Sequence, residues 1–195
     1  MQGLARRDPQ TAMVNFMVDS TFCTSVQLYS CFKRLQINYK SFEHPAVYTV
    51  EQSKKKTGFL PGAHIKNLFL RDKKRNRWLV SALDNQIIEL KLLRRFLGAT
   101  GSLSFGDAAM LKENLGVEPG SVTPFAVIND KRRAVKVVLD KNLLDYCKIN
   151  AHPLQNNMTV AIASKDLLRF LKAYNHSPIV VDFAQLTCAD SRPNC

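Results

Sequence analysis

What the chain lacks narrows its chemistry first. Its five cysteines, Cys23, Cys31, Cys147, Cys188 and Cys195, are an odd set with no C-x-x-C spacing, so neither a disulfide framework nor a zinc site is indicated. A reducing, intracellular compartment fits that usage. The four histidines, His44, His64, His152 and His176, form no H-x-x-x-H pair, and no metal or other cofactor is expected. No apolar run approaches the ~20 residues that span a bilayer, and no apolar leader with a small-residue cleavage site opens the chain, so no membrane partner is expected. Arg6 and Arg7 hint at an organellar presequence, but Asp8 and Asp19 argue against one, because such segments are poor in acids. The glycines spell no nucleotide-binding loop: residues 58–66 depart from G-x-x-x-x-G-K-[ST], and Gly98, Gly101 and Gly106 depart from G-x-G-x-x-G. A G-x-S-x-G elbow is absent, and Cys147 with His152 carries no recognisable nucleophile signature.

Acid is the other scarcity. Lys and Arg number 28 against 16 Asp and Glu, a net charge of +12, which predicts attraction to polyanions. Residues 54–77 hold nine cations, Lys54, Lys55, Lys56, Lys66, Arg71, Lys73, Lys74, Arg75 and Arg77, against Asp72 alone, a net of +8. Such a run is either a solvated face or a nucleic-acid contact; it has no regular i,i+4 acids to neutralise it.

At 195 residues and 46% hydrophobic content, the chain suits one domain with extensions: a flexible leader over 1–23, a domain over 24–183 and a frayed tail over 184–195. Leu28, Phe32 and Leu35 recur at helical spacing after Thr24 or Ser25, predicting a helix that ends near Ile37. Residues 39–43 alternate as a strand. Thr49 with Gln52 has the form of a capping box for a short helix running into Lys54, Lys55 and Lys56. Residues 64–70 and 78–82 read as a hairpin around a basic turn. Helices are expected over 89–97 and 107–115, stopped by Gly98 and Gly116. Residues 125–128 and 134–139 read as a second hairpin, 150–157 as a polar loop, 158–163 as a strand, 164 onward as a helix, and 179–183 as a last strand. Hairpins mixed with single helices predict a mixed, largely antiparallel curved sheet with helices packed outside, an α/β arrangement of α+β type.

Within the first hairpin, side-chain alternation sets Lys66 on one face with Leu68 and Leu70, while Ile65, Asn67 and Phe69 face the other way. A lysine there is either an edge residue with its ammonium in water or a half-buried cation placed for an anion or carbonyl oxygen.

Four blocks then stand out: E-H-P-A-V-Y-T-V-E-Q (43–52), G-A-H-I-K-N-L-F-L-R-D-K-K (62–74), P-G-S-V-T-P-F (119–125) and H-P-L-Q-N (152–156). Together, in this order, they make the chain from about 25 to 183 resemble the prolyl-tRNA synthetase associated domain proteins, free-standing relatives of the YbaK-like editing domain known as ProX proteins. The resemblance implies a YbaK-like fold and a cytoplasmic, monomeric, metal-free deacylase that hydrolyses the ester of mischarged tRNA(Pro), most of all alanyl-tRNA(Pro). It implies Lys66 as the essential lysine and Gly120, Ser121, Val122, Thr123 and Pro124 as the G-x-x-x-P loop. His152 becomes the pocket histidine, with Asn67 and Thr49 beside the substrate. Lys54, Lys55, Lys56, Lys73, Lys74, Arg75 and Arg77 become the tRNA contacts, and prolyl-tRNA synthetase a further partner. Three positions depart from the family pattern: Ala151 where an aromatic is frequent, Asn175 for a glycine, and Gly106 where alanine is usual. The competing reading is a non-catalytic YbaK-like module that holds tRNA or a synthetase.

Overall fold

Local signals decide where each element of the computed structural model starts, and the model describes residues 22–47 and 49–189. Thr24 opens α1 (Ser25–Arg34) by donating its N–H to Gln27 Oε1 at 2.7 Å, and the i,i+4 pair Leu28 and Phe32 is fully buried. After β1 (Tyr39–Glu43), Thr49 Oγ1 accepts from Gln52 N–H at 3.2 Å and caps α2 (Val50–Thr57) as expected.

Strands β2 (Ala63–Arg71) and β3 (Arg77–Leu83) form the first hairpin, with Lys66 opposite Ala82 and Leu70 opposite Trp78. Asp72 holds its turn. The carboxylate accepts from the N–H groups of Asn76 and Thr100 and from Asn76 Nδ2, each at 2.9 Å. α3 (Leu90–Phe96) stops at Gly98, β4 (Ser104–Phe105) is a two-residue strand, and α4 (Ala108–Leu115) is capped by Asp107, whose carboxylate accepts from Met110 N–H at 2.8 Å.

The expected second hairpin does not form. Residues 125–128 lie in a 3-10 helix, Pro124–Asn129, because Thr123 caps it and Pro124 presets φ at its first position. All six of its residues are buried, and a short continuous apolar run carries no period that separates strand from helix. β5 (Val135–Asp140) lies where a strand was expected but pairs parallel to β3. A 3-10 turn (Lys141–Asp145) leads to β6 (Lys148–Ala151), which takes Asn150 and Ala151 out of the expected polar loop. β7 (Met158–Ala163), α5 (Ser164–Ala173), β8 (Ile179–Val181) and α6 (Phe183–Ala189) complete the chain. α6 corrects the frayed tail expected from residue 184: Phe183 is buried, and Leu186 packs against the same apolar cluster. The leader over 1–21, Cys195 and the side chain of Cys188 lie outside the described residues.

The eight strands run β1-β7-β6-β2-β3-β5-β8, with β4 beside β2. Pairs β6–β2, β3–β5 and β5–β8 are parallel and the other four antiparallel, giving the mixed sheet expected. One face is covered by the edge-on ring trio Phe32, Phe125 and Phe170, with centroids 5.1 to 5.8 Å apart. The other holds Leu70, Trp78, Leu93 and Phe183 under α3 and α6. β2 divides the two, Phe69 facing the first and Leu70 the second.

β2 also sits at a seam. It pairs with β6 only at Ala63 and His64, and with β4 only at Leu70 and Arg71. Between them, residues 65–69 have no strand on that side among the described residues.

Candidate functional site

The seam in the sheet is where the four sequence blocks converge. Asn67, in the middle of the unpaired stretch, donates Nδ2 to Val122 O at 3.0 Å and accepts from Ser81 Oγ at 2.7 Å. It clips the 120–124 loop to the sheet. That loop is shaped by its own sequence: Ser121 N–H closes onto Glu118 O at 3.0 Å, with Pro119 and Gly120 in the turn. Gly120 has φ 87°, and a proline followed by a residue at positive φ is the pattern of a type II turn. Ser121 and Thr123 are buried and Val122 is half-buried.

Beside this clip lies a narrow cleft of about 20 Å³, lined by Thr57 from the end of α2, His64, Ile65 and Asn67 from β2, Asn150 and Ala151 from β6, and His152 and Thr159. It has room for about one water. His152 Nδ1 lies 2.9 Å from Met158 O; a carbonyl only accepts, so Nδ1 carries the proton and Nε2 keeps its lone pair. Burial pushes the pKa of His152 below 6.5; the bond to Met158 opposes this and the neighbouring His44 adds to it. The His44 ring stands 6.1 Å from that of His152, with its Nε2 3.0 Å from Thr159 Oγ1. His64 Nε2 donates to Leu60 O at 3.0 Å. Sequence reasoning singled out His152, Asn67 and the loop but passed over His44, His64, Thr57, Asn150 and Thr159. Two of these stand inside the four blocks, at E-H-P and G-A-H; nothing local marks the other three.

Lys66 is half-buried on the alternate face of β2, beside Leu68 and Leu70 as alternation requires, and donates Nζ to the Gln86 carbonyl. It is not among the residues lining this cleft. Thr49 is exposed at the head of α2. The basic run divides in two. Lys54, Lys55 and Lys56 belong to α2, the helix that ends in the cleft wall at Thr57. Lys73, Lys74 and Arg75 are exposed on the β2–β3 turn, with Arg77 half-buried at the start of β3. Five residues of strand at about 3.4 Å each place that turn ~17 Å from Lys66.

The departures from the family pattern have local causes in two cases. A Cβ on Gly106 would stand 2.4 Å from Phe69 Cδ1, so alanine there would displace the ring. Asn175 has φ 59°, a conformation that asparagine tolerates better than most residues. Ala151 is buried in the cleft wall, where its small side chain leaves the space open. Among the described residues, Cys23, Cys31 and Cys147 are free thiols, and no group of three or more His, Cys, Asp or Glu is placed to hold a metal. No described helix is long and apolar enough to cross a membrane.

A crystal structure of a candidate trans-editing enzyme for prolyl tRNA synthetase superposes with a TM-score of 0.62 at 19% identity, over 81% of this chain and 94% of that one; at that identity the likeness speaks to the fold. The prolyl-tRNA synthetase associated domain-containing protein 1 of Danio rerio is 40% identical over 159 residues, 80% of this chain and 86% of the relative. The prolyl-tRNA editing protein ProX of Acetoanaerobium sticklandii is 41% identical over 140 residues, 71% of this chain and 85% of the relative. The model of the aminoacyl-tRNA editing domain matches residues 44–170, a span that takes in the clip, the loop and the whole cleft. The chain belongs to the aminoacyl-tRNA editing domain family.

Proposed function

We propose that this protein is a free-standing deacylase that hydrolyses the ester of mischarged tRNA(Pro), alanyl-tRNA(Pro) above all, releasing alanine and tRNA. The observation that carries the reading is the cleft at the seam of β2, inside the family match, with the 120–124 loop clipped to its wall by Asn67. The names of the relatives point to the tRNA of proline. tRNA is therefore the partner, prolyl-tRNA synthetase a docking partner, the cytoplasm the site of action and the monomer the working unit.

In the reaction, water adds to the ester carbonyl, the acyl C–O bond breaks and the ribose oxygen leaves with a proton. The developing oxyanion needs fixed donors. Ser121 N–H is committed to Glu118 O and Pro124 has none, so the loop offers the N–H groups of Gly120, Val122 and Thr123. Lys66, outside the cleft lining and bonded to the Gln86 carbonyl, supplies positive charge to the oxyanion after Nζ leaves that carbonyl and reaches round the open edge of β2. His152, neutral with its Nε2 lone pair available, orients the attacking water together with the ribose 2′-hydroxyl. No covalent intermediate is required. Buried Ala151 and half-buried Val122 set the size limit, which admits a methyl and excludes the proline ring by clash.

Incubation of the purified protein with alanyl-, seryl-, cysteinyl- and prolyl-tRNA(Pro) tests the assignment: ester loss fastest on alanyl-tRNA(Pro), with prolyl-tRNA(Pro) spared, is expected. The engagement of Lys66 by the Gln86 carbonyl favours one alternative, a non-catalytic module that holds tRNA or a synthetase. That reading predicts no ester loss on any of the four.

A further inference from the structure

The turn that leaves the cleft wall at Thr57 carries an aromatic ring that the hydrolytic chemistry does not use. Leu60 N–H donates to Thr57 O at 2.8 Å, closing a turn with Gly58 and Phe59 at its two central positions. Both ends of the turn are pinned. Thr57 is 2% exposed and lines the cleft, while the Leu60 carbonyl accepts from His64 Nε2 at 3.0 Å and the next carbonyl, Pro61 O, accepts from Asn150 Nδ2 at 3.3 Å. Phe59 at the tip is 79% exposed, the most exposed of the large apolar side chains among the described residues. A pinned turn that presents a phenyl ring to solvent gives up the burial such a ring ordinarily gains, and here the ring is two residues along the chain from Thr57 in the cleft wall.

The surroundings of Phe59 indicate its partner. Lys55 and Lys56, both exposed, precede it on the last turn of α2, and between Glu51 and Asp72 the sequence contains no acid. An exposed ring flanked by solvent-facing cations is the combination that binds single-stranded nucleic acid, the cations tracking phosphates while the ring stacks on a base. A tRNA carries its aminoacyl ester on an unpaired 3′ end, so a strand delivering that ester to the cleft ends beside Thr57, two residues from Phe59. We propose that Phe59 is the stacking platform for an unpaired base at the 3′ end of the RNA, with Lys55 and Lys56 on the adjoining phosphates. The inference rests on the deacylase reading only for the direction in which the strand enters.

The test is equilibrium binding of uncharged tRNA, intact or trimmed of its unpaired 3′ nucleotides, to the full chain and to Phe59→Ala and Phe59→Trp. Phe59→Ala should weaken binding of intact tRNA by roughly 5- to 150-fold, the range for removal of one base stack, and leave the trimmed tRNA unaffected. Its melting temperature should match the parent, since the ring is exposed. Phe59→Trp should keep the affinity, and its new indole emission should change when intact tRNA binds, against the constant background of Trp78, the only native tryptophan and 1% exposed. Equal binding of intact tRNA by the parent and Phe59→Ala overturns the platform, as does an equal loss on intact and trimmed tRNA. End-dependent loss in a protein that cleaves no ester leaves the platform standing and removes the deacylase reading. Normal ester cleavage with unchanged binding by Phe59→Ala removes the platform alone.

Discussion

His152 reaches the cleft as a neutral ring because burial holds its pKa below 6.5 and Met158 O fixes the proton on Nδ1. If Nε2 orients the attacking water, deacylation is lost as pH falls through the folded pKa of this ring. The rate–pH profile of the parent should therefore bend downward on the acid side, and His152→Asn should be slow at all pH values without that bend. A bend surviving in His152→Asn would assign it to another group. Lys66→Ala should reduce ester hydrolysis by about 10²-fold or more, the usual loss when one donor to a developing oxyanion is removed, with the far-ultraviolet spectrum unchanged; an unaltered rate removes Lys66 from the chemistry. Ala151→Phe should occupy the cleft and slow hydrolysis of alanyl-tRNA while leaving tRNA affinity intact. The sequence exposed Lys66 through strand alternation and through the block at 62–74. It could not show that Nζ would meet the carbonyl of Gln86, because that pairing depends on how the chain leaves β3.

At the level of elements, the two basic groups are separable by mutation. Neutralising Lys55 and Lys56 together should lower the salt dependence of tRNA binding by about 0.7 to 0.9 in slope for each phosphate that is no longer neutralised. The same change at Lys73, Lys74 and Arg75 tests whether the distant turn also meets the RNA or is a solvated face. A titration of affinity against salt for both variants decides this. α6 is the element that sequence reading missed although it carries a cap: Asp182 stands before Phe183, and its carboxylate accepts from Gln185 N–H at 3.2 Å. Phe183 is 2% exposed in the cluster with Trp78 and Leu93, so Phe183→Ala should cost about 3–5 kcal/mol in chemical denaturation. Other elements with their own period or cap were legible, β7 to the residue and α4 to within one, its expected first residue Asp107 being the cap. The 3-10 helix at 124–129, β6 and the parallel partners of β3 and β5 were not, because burial on all sides erases periodicity and strand partners are chosen across the whole chain.

For the molecule as a whole, acid should destabilise early. His152 and the buried His176, which faces Asp130 Oδ2 at 3.8 Å, both have folded pKa values below 6.5, in each case chiefly through burial. The unfolded chain then binds more protons than the folded one below that pH, so stability is full above 6.5 and falls as pH drops toward the folded pKa values. The slope is about 1.4 kcal/mol per pH unit for each ring that lags. Urea midpoints measured from about pH 8 down to pH 5.5 should show this fall, and His176→Gln should flatten it. The sheet order has another consequence, for the protein as it is made. Tyr39 pairs with Ile162 and Ala63 with Ile149, whereas β2 with β3 and β6 with β7 pair as sequence neighbours across short links. A nascent chain can close the β2–β3 hairpin early, but β1 waits on the ribosome with an open edge until β7 has emerged. Completion of the sheet, and with it the cleft, therefore waits for β6 and β7, and a chain released before them would present unpaired strands to its neighbours before it had a site.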